Sequence, residues 1–430
     1  MLSALEPRRT RGEGAVRQMV IFDLRFVIGV LGFVAVLCSS AEAQDKPSGD
    51  GLQASAVPEA RSQEPGASED GFLAKAQDWA KKHQIMERLS GDIDGWYPRI
   101  GGMTRGGGFA LGPGYRFHPA GGPVLVDLSA GMSFKLYKSV DANVRWYRSA
   151  NEKFEVWTDY RWEDFPQEDF FGAGLNSLAD GRTSYKFGSH DFQARGQARP
   201  LTWLALGANV GYMSVDIGTG SDSNFPSTEE LFTDVDAPGL LEQPNFLHTT
   251  IFAESDDRDS KGNPGSGGFY RLSYGIWDDR DGGSYDFRRL DFNANHWVPL
   301  TASKKHVAYG RLGLSFTNND TTARVPFYFL PYVGGVDTIR SFREFRFKDE
   351  NALWLGAEYQ FRPIEYVSLA LFADAGKVAH DWEDIDFRGM RSGYGFGVRF
   401  GTKKQQFGRI DVGFGGGEGT RVFLKFGPSL

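Results

Sequence analysis

Cysteine is nearly absent from this 430-residue sequence, and Cys38 is the single example. One cysteine excludes a disulfide-built scaffold and a thiolate metal site, because both need several thiols. Long hydrophobic runs are also missing: no uncharged apolar stretch of about 18 residues follows residue 44, which argues against transmembrane helices there. The formal net charge of -7 provides no basic surface for nucleic acid.

The N-terminal residues 1–43 have the pattern of a secretory signal peptide. Several arginines precede an apolar run at 26–37, and Ala41-Glu42-Ala43 provides the small residues that signal peptidase recognises. A bilayer-spanning helix needs roughly 20 apolar residues, so a cleaved signal is favoured over a membrane anchor. Cleavage would remove Cys38, and the mature chain is therefore expected to contain no cysteine.

Two short segments follow the predicted signal. Residues 44–71 are rich in Ser, Pro, Gly, Ala and Glu and poor in aromatics, which predicts a disordered linker. Residues 72–91 carry apolar side chains at helical spacing and predict one short amphipathic helix in the periplasm. This helix would lead into or plug the domain that follows, and docking to a partner or to a membrane surface is the alternative.

Residues 92–430 show apolar side chains at every second position. In one such segment Leu355, Ala357 and Tyr359 alternate with Glu358 and Gln360, so charge lies on one face only. A soluble β-sandwich shows the same period, and the alternation alone does not separate it from a membrane barrel.

Three features favour the membrane barrel. The candidate strands run about 10 to 14 residues, nearer to a tilted membrane strand than to the usual soluble strand. Aromatic side chains lie at strand tips, as in the girdles at membrane interfaces; these are Trp96, Tyr97, Tyr115, Trp146, Trp162, Trp203, Trp277 and Trp354. A closed sheet leaves no unpaired edge in lipid. About 15 strands are visible, and because such barrels have even numbers, we predict an all-β, 16-stranded antiparallel transmembrane β-barrel in the bacterial outer membrane.

Three motifs carry a family resemblance. The run Gly334-Gly335-Val336-Asp337-Thr338-Ile339-Arg340-Ser341-Phe342 is similar to the motif of the sixth external loop in BamA/TamA-type surface antigen barrels. Downstream, Phe372-x-Asp374-x-Gly376 resembles the thirteenth-strand motif of that family, and Gly356-x-Glu358 resembles the acidic position on the strand before it. The resemblance implies a loop that folds back into the barrel lumen.

The same resemblance implies that Arg340 pairs with Glu358 and Asp374 and holds the loop inside the lumen. The alternation independently places both carboxylates on the polar face, and a desolvated guanidinium needs such fork-shaped partners. The alternative is that Arg340 is an ordinary exposed loop arginine. The other motif positions are Gly334, Gly335, Ile339, Phe342, Phe372 and Gly376.

Three departures from the family pattern stand out. Ser341 replaces the usual glycine after the arginine, and the chain ends in Leu430 where outer-membrane strands usually finish on an aromatic residue. Residues 44–91 are too few for one of the periplasmic POTRA modules that are typical of the family, so this chain is expected to lack them.

Catalytic, cofactor and metal sites are not expected. The seven histidines are scattered without a zinc-binding pair, and no nucleophile elbow is present. Asp257-x-Asp259 begins like a calcium loop, but Lys261 occupies a ligand position, which favours a simple hairpin turn.

The resemblance implies a role in insertion or translocation of proteins or lipids at the outer membrane. The expected partners are outer-membrane lipid and, with it, unfolded outer-membrane proteins or periplasmic factors. A passive pore or structural surface antigen is the first alternative, and a hydrolase embedded in the barrel is the second.

Overall fold

One antiparallel sheet of 16 strands dominates the computed structural model, which describes residues 93–102, 106–149, 151–319 and 323–426. The predicted number and direction of strands are confirmed. The predicted signal peptide (1–43), linker (44–71) and short helix (72–91) lie outside the described residues.

The strands of the main sheet follow one another around it in chain order. They are β1 (Gly95–Gly102), β2 (Phe109–Phe117), β3 (Leu125–Ser133), β4 (Lys138–Arg148), β5 (Phe154–Phe170), β6 (Thr183–Leu201), β7 (Leu204–Thr219), β8 (Phe246–Asp256), β9 (Gly267–Asp279), β10 (Phe287–Pro299), β11 (His306–Asn319), β14 (Asn351–Ile364), β15 (Val367–Ala379), β16 (Arg391–Gly401), β17 (Gln406–Phe414) and β18 (Arg421–Phe426). Between β11 and β14, the two-residue strands β12 (Tyr332–Val333) and β13 (Phe347–Lys348) pair with each other.

Helix is scarce in the described part of the chain. The α-helix Thr228–Leu231 has four residues, and three 3-10 turns lie at Pro119–Gly121, Phe327–Phe329 and Trp382–Asp384. None of the helices among these residues is long and apolar enough to span a membrane.

The two ends of the sheet differ in the length of their connections. At one end, residues 202–203 and 365–366 join strands directly, whereas the other end has connections as long as 220–245 and 320–350. Outer-membrane barrels have short periplasmic turns and longer external loops, so we assign the long connections to the external side.

The apolar positions of the strands face outward. On β15, Leu369 and Leu371 are exposed, while Ala370 between them and Phe372 and Asp374 beyond them are buried on the inner side. Large apolar side chains are exposed in this way on strands around the sheet, including Met132 at 52% and Val422 at 62%. A surface this apolar is stable against lipid and not against water.

Three of the eight aromatic residues predicted for the interfacial girdles turn inward. Trp277 stacks on His248 with ring centroids 4.6 Å apart, and Trp354 packs beside Arg311 in the lumen. Tyr97 donates a hydrogen bond to the inward-facing Asp127. The assignment was wrong there because proximity to a strand tip does not specify the face, which the register of each strand determines. Trp96 and Trp146 are exposed on the outer wall, as expected.

An apolar cluster fills the external end of the lumen, and we call it the external cluster. Its inward strand residues come from β5 to β10, and loop residues from 232–240 and 325–330 pack between them. Its buried members are Phe170, Tyr185, Met213, Val215, Ile217, Ala237, Leu240, Phe246, Tyr285, Phe287, Val325, Phe327 and Leu330. Edge-to-face rings such as Phe170 and Phe327, 4.9 Å apart, hold the loops against the wall.

The first and last strands approach each other at a junction that we call the seam. A methyl group at Gly101 on β1 would lie 3.5 Å from the carbonyl oxygen of Phe426 on β18, and the Phe426 ring is 4.8 Å from Phe109 on β2. Among the residues that the structure describes, no ladder pair joins β1 to β18, whereas the shortest ladders elsewhere, β2 with β3 and β17 with β18, have six pairs each. The sheet is therefore a nearly closed barrel.

Candidate functional site

The connection between β11 and β14 folds into the lumen, and we call its described part, residues 323–350, the lumen loop. Gly334 and Gly335 have φ values of 113° and 99°, which L side chains rarely adopt. This bend lets the Gly335 amide donate to the carbonyls of Ile339 and Phe342, each at 3.2 Å. A side chain at Gly335 would also overlap the Glu344 carboxylate, so both glycines are required by geometry.

Apolar residues of the motif fix the lumen loop against the wall. Ile339 is fully buried and Phe342 nearly so, in a cluster with Val333, Phe347 and Val378. At Gly376 on β15, a methyl group would lie only 3.0 Å from the Ile339 side chain, so glycine lets the loop approach the strand. The sequence motifs on the loop and on β15 are thus the two sides of one packed interface.

Arg340 lies at the centre of this interface with a side chain that is only 1% exposed. Its Nε and Nη2 donate to the two carboxylate oxygens of Asp374 at 2.8 and 3.0 Å, and its Nη1 donates to Glu358 at 2.6 Å. The ring of Phe372 covers one face of the guanidinium, with its centroid 3.5 Å from Cζ. The structure therefore brings together Arg340, Glu358 and Asp374, the three residues singled out in the sequence.

The charge of Arg340 is maintained by these partners. Burial alone would lower the pKa of the guanidinium, but the negative charges of Asp374 and Glu358 outweigh it and raise the pKa above its ordinary value. The two carboxylates lie on adjacent strands, β14 and β15, and the alternation of each strand points them to the same inner surface.

Further arginines surround the central three residues and were missed at the sequence level. Arg311 on β11 donates to Asp374 at 2.9 Å and to the carbonyl of Thr338 at 2.7 Å. Arg399 on β16 donates to Glu358 at 2.8 Å and lies 2.7 Å from Asp411. The inward positions of these arginines follow from the alternation, but their distance to the lumen loop depends on which strands are neighbours.

Residues of the last two strands hold the tip of the lumen loop. Arg409 on β17 donates to the carbonyl of Val336 at 2.9 Å, and Lys425 on β18 donates to Asp337 at 2.7 Å. The loop is therefore bonded to strands that adjoin the seam as well as to β14 and β15. Asp337 belongs to the motif, and its carboxylate accepts hydrogen bonds from Arg409 and Lys425 near the C-terminal end of the sheet.

Ser341 replaces the usual glycine of the family motif. Its side chain fits because the residue that faces it on the wall is a glycine. A methyl group at Gly393 on β16 would overlap the Ser341 side chain. The backbone at Ser341 is not among the positions with positive φ, so glycine is not needed there for conformation. The departure in the motif is matched by a glycine on the facing strand.

A turn between β8 and β9, residues 257–266, crosses the periplasmic end of the lumen, and we call it the bridging turn. Its Asn263 side chain donates to the carbonyl of Thr402 at 2.6 Å, and its Gly262 carbonyl accepts from the Gln406 amide at 2.9 Å. Four strands, β10, β11, β14 and β15, separate β9 from β16 in the sheet, so these bonds span part of the opening.

The acidic residues of the bridging turn are used in hydrogen bonds of the turn itself. Asp257 accepts from the Gly268 amide at 2.6 Å, and Asp259 accepts from the amides of Gly265 and Ser266 at 2.9 and 3.1 Å. In the part of the chain that the structure describes, no group of three or more His, Cys, Asp or Glu residues has an arrangement that could hold a metal ion.

Comparison with known families gives one extended match. Residues 126–416 match the Omp85 superfamily domain, which covers more than half of the chain. No curated protein matches the sequence.

Solved structures show the same fold at low sequence identity. BamA from Haemophilus ducreyi, in a crystal structure lacking POTRA domains 1–3, is 13% identical with a TM-score of 0.57, and the match covers 78% of this chain and 70% of that one. CdiB from Escherichia coli is also 13% identical, with a TM-score of 0.51 and coverage of 76% of this chain and 60% of that one. At such identities the likeness shows the fold alone.

Proposed function

Because the chain belongs to the Omp85 superfamily, we propose that it inserts or translocates polypeptides, or lipids, at the outer membrane and engages its substrate at the seam. The protein is a bacterial outer-membrane β-barrel of the BamA/TamA type. The observation that carries the proposal is the junction of β1 and β18, which has no ladder pair among the described residues. Unfolded outer-membrane proteins, or periplasmic factors that deliver them, are the proposed partners.

The seam suits this role because a sheet edge is a template for another strand. Backbone N–H and C=O groups at an edge pair with an incoming extended segment, which is the physical basis of β-augmentation. Every other junction of the sheet is held by a ladder of at least six residue pairs, so the seam is where the described sheet opens at the lowest cost. A substrate strand would add there without breaking an existing ladder.

The wall of the barrel is also shorter on the side of the seam. Strands β2, β3 and β17 have nine residues each, whereas β5, β6 and β7 have 17, 19 and 16. Nine residues extend about 31 Å, or roughly 22 Å in height at a tilt of about 45°, which is the lower end of the roughly 9 to 11 residues that a membrane strand needs. A wall at this lower limit matches a thinner bilayer than the longer strands β5 to β7 do, and a thinner bilayer would lower the barrier to insertion beside the seam.

The lock formed by Arg340, Glu358 and Asp374 has a supporting role in this proposal. It keeps the lumen loop bonded to β14 and β15 while Arg409 and Lys425 connect the same loop to β17 and β18. The loop would thereby keep the lumen filled and the last strands in place while the seam opens.

A passive pore is the less favoured function. The described residues occupy the lumen at three levels: the external cluster, the lumen loop and the bridging turn. A pore needs a continuous water-filled path, and the buried apolar side chains of the external cluster stand in that path.

A crosslink across the seam tests the proposal. In a Cys38→Ser background, Phe109→Cys with Phe426→Cys places thiols on two strands whose aromatic rings are in contact, and a short bis-methanethiosulfonate reagent joins them. We expect the crosslinked protein to fold and to fail to support outer-membrane protein assembly in cells that lack the native gene. Activity should return when the crosslink is reduced.

The matched control places the same crosslink in a junction that is already paired. Val412 and Val422 are direct partners in the β17–β18 ladder, so Val412→Cys with Val422→Cys adds a bond without closing the seam. We expect this variant to retain activity. Full activity of the crosslinked seam variant would remove the seam from the mechanism and refute the proposal.

A further inference from the structure

The outer wall of β4 to β7 carries two successive rows of outward residues in register. In the lower row Val140, Trp162, His190 and Ser214 are direct cross-strand neighbours. In the upper row, toward the external end, Lys138, Asp164, Gly188 and Asp216 are neighbours in the same way. The upper row therefore carries three charged side chains, whereas the lower row, two residues away along each strand, contains the apolar side chains of Val140 and Trp162.

This change marks the external border of the membrane. Directly below the two rows, Phe192 and Tyr212 are register partners on the outer wall and are 54% and 49% exposed. Apolar surface of that extent belongs in the acyl region, whereas the exposed side chains of Lys138 and Asp216 above it belong in the layer of polar headgroups. The two rows thus lie at the level of the outer-leaflet headgroups.

A cleft of about 220 Å³ opens between these rows. Its lining includes Trp162, Asp164, Lys186, His190, Ser214 and Asp216. Gly188 forms part of the lining at a position where its neighbours in the row carry side chains, and a methyl group there would lie 3.3 Å from the Asp216 carbonyl oxygen. The missing side chain at Gly188 therefore creates the space.

Lys186 lines the cleft, and Lys138 lies beside it, bonded to the lining residue Asp164. Lys186 lies 2.8 Å from Asp216 and 3.9 Å from Asp164, and Lys138 lies 3.0 Å from Asp164. An ammonium group has three N–H donors, so each lysine keeps donors for an incoming phosphate while its charge is balanced by an aspartate. The lysine side chains are 39% and 46% exposed, so they are accessible from the headgroup layer.

The remaining lining groups suit a sugar. Carboxylates such as Asp164 and Asp216 accept hydrogen bonds from sugar hydroxyls, and the indole of Trp162 offers an apolar surface to a sugar ring. His190 bonds through Nδ1 to the hydroxyl of Tyr160 at 2.8 Å, which fixes the imidazole and leaves Nε2 as the ring nitrogen for a ligand. Ser214 adds a hydroxyl group on the opposite side of His190 from Trp162.

We propose that this cleft binds the phosphate-bearing sugar headgroup of an outer-leaflet glycolipid. The acyl chains would lie along Phe192 and Tyr212, the sugar against Trp162, and the phosphate against Lys186. An anionic phospholipid such as phosphatidylglycerol would satisfy the lysines, but it has no sugar ring to lie against the indole of Trp162. This site lies on β4 to β7, away from the seam, and stands independently of the proposed function.

Binding of lipid A to the purified full-length barrel in non-ionic detergent tests the site. Fluorescently labelled diphosphoryl lipid A is titrated with protein, and monophosphoryl lipid A and phosphatidylglycerol are used as competitors. We expect lipid A to bind, monophosphoryl lipid A to compete more weakly, and phosphatidylglycerol to compete at least tenfold more weakly still. Equal competition by phosphatidylglycerol, or by a soluble sugar phosphate without acyl chains, would overturn the assignment to a glycolipid.

Two variants connect binding to the cleft. Gly188→Leu fills the space and Lys186→Ala removes a cation, and we expect each to weaken lipid A binding at least tenfold. Gly196→Leu is the matched control because Gly196 lies on the outer face of the same strand with open space around it. Heat-modifiable migration on gels verifies folding of each variant. Unchanged binding in Lys186→Ala, or an equal loss in Gly196→Leu, would show that the lipid binds elsewhere.

Discussion

Arg340 shows how a buried cation is made stable inside a barrel lumen. Removing a guanidinium from water costs several kcal/mol unless charge and hydrogen bonds are replaced, and Asp374 and Glu358 supply both. The arrangement is geometric as well as electrostatic, because the planar fork matches the two oxygens of Asp374 while Phe372 covers its face. Substitutions of Arg340 should therefore separate the contribution of its charge to stability from that of its planar, bidentate geometry.

Arg340→Ala should destabilise the barrel by about 3 to 5 kcal/mol, because it leaves two buried carboxylates short of a partner. Arg340→Lys keeps the charge but cannot form the bidentate contact, so we expect an intermediate loss. The temperature of the heat-modifiable gel shift and the rate of proteolysis within the lumen loop measure both effects. Unchanged values for Arg340→Ala would contradict the role of the lock.

Asp259 provides a residue-scale test in the bridging turn, outside the membrane. Burial raises the pKa of its carboxyl, but hydrogen bonds from Lys304, Gly265 and Ser266 outweigh burial and lower the pKa to about 2. A carboxyl with a lowered folded-state pKa stabilises the fold above its unfolded-state pKa, near 3.9, and loses this contribution as the pH falls toward 2. Solvent screening at this partly exposed turn limits the contribution to about 1 kcal/mol.

Asp259→Asn should therefore unfold at lower urea concentration than the unmodified protein at pH 7, and the difference should disappear near pH 2. Urea titrations of the detergent-solubilised barrel at neutral pH and at several acidic pH values measure this difference. A difference that persists undiminished at pH 2 would show that the ionised form of Asp259 is not what stabilises the turn.

At the scale of elements, larger residues of the lumen loop lie opposite glycines of the inner wall. Ser341 on the loop faces Gly393 on β16, and Ile339 faces Gly376 on β15. Each contact combines a larger residue on the loop with a glycine on a strand, which lets the loop backbone approach the wall closely. The match predicts that substitutions on the two sides are coupled.

Gly393→Ala should lower stability because its methyl group overlaps the Ser341 side chain. Adding Ser341→Gly should recover part of the loss, since the methyl group would still lie close to the Phe414 carbonyl oxygen. We expect a coupling of about 0.5 kcal/mol or more in a double-mutant cycle measured by urea unfolding. Additive effects of the two substitutions would show that the loop does not pack on β16 at this point.

The alternation of the sequence predicts most of the sheet, because the side-chain period of a strand is two whatever its neighbours are. The inward direction of Glu358 and Asp374 follows from it, as do about 15 strands, and the count of 16 also needed the rule that such barrels have even numbers. Contacts between distant strands do not follow, because they depend on pairing and register. Arg311 and Arg399 were missed as partners of the lumen loop for this reason, and Trp277 and Trp354 were assigned to the wrong face.

The external cluster and the contacts of the bridging turn were also not predicted from the sequence. Phe327 packs on Phe170 and Tyr185 from strands far away in the chain, and the hairpin at 257–266 was predicted without its contacts to Thr402 and Gln406. Local patterns specify turns and strands, whereas closure of the lumen comes from long-range packing.

At the scale of the whole molecule, the described barrel is filled along its axis. Apolar rings occupy the external end, ion pairs occupy the middle, and a turn crosses the periplasmic end. This arrangement predicts that the protein acts on the outer membrane at the outer surface of its wall and does not conduct ions through its lumen.

Planar-bilayer recording tests that prediction. The unmodified protein should show no sustained conductance, and replacement of residues 325–346 by a short Gly-Ser linker should open a channel, because it removes both the lumen loop tip and Phe327 of the external cluster. Shortening the exposed connection between β15 and β16, residues 380–390, is the control and should leave the barrel closed. A stable channel in the unmodified protein would favour the passive pore.

The most direct test of the central claim, that this barrel acts on other components of the outer membrane, is the outer-membrane protein profile of a deletion strain. We predict that deletion depletes folded outer-membrane proteins and causes unfolded precursors to accumulate in the periplasm, and that the unmodified gene restores the profile. A profile identical to that of the parent strain, with no accumulated precursors, would contradict the claim.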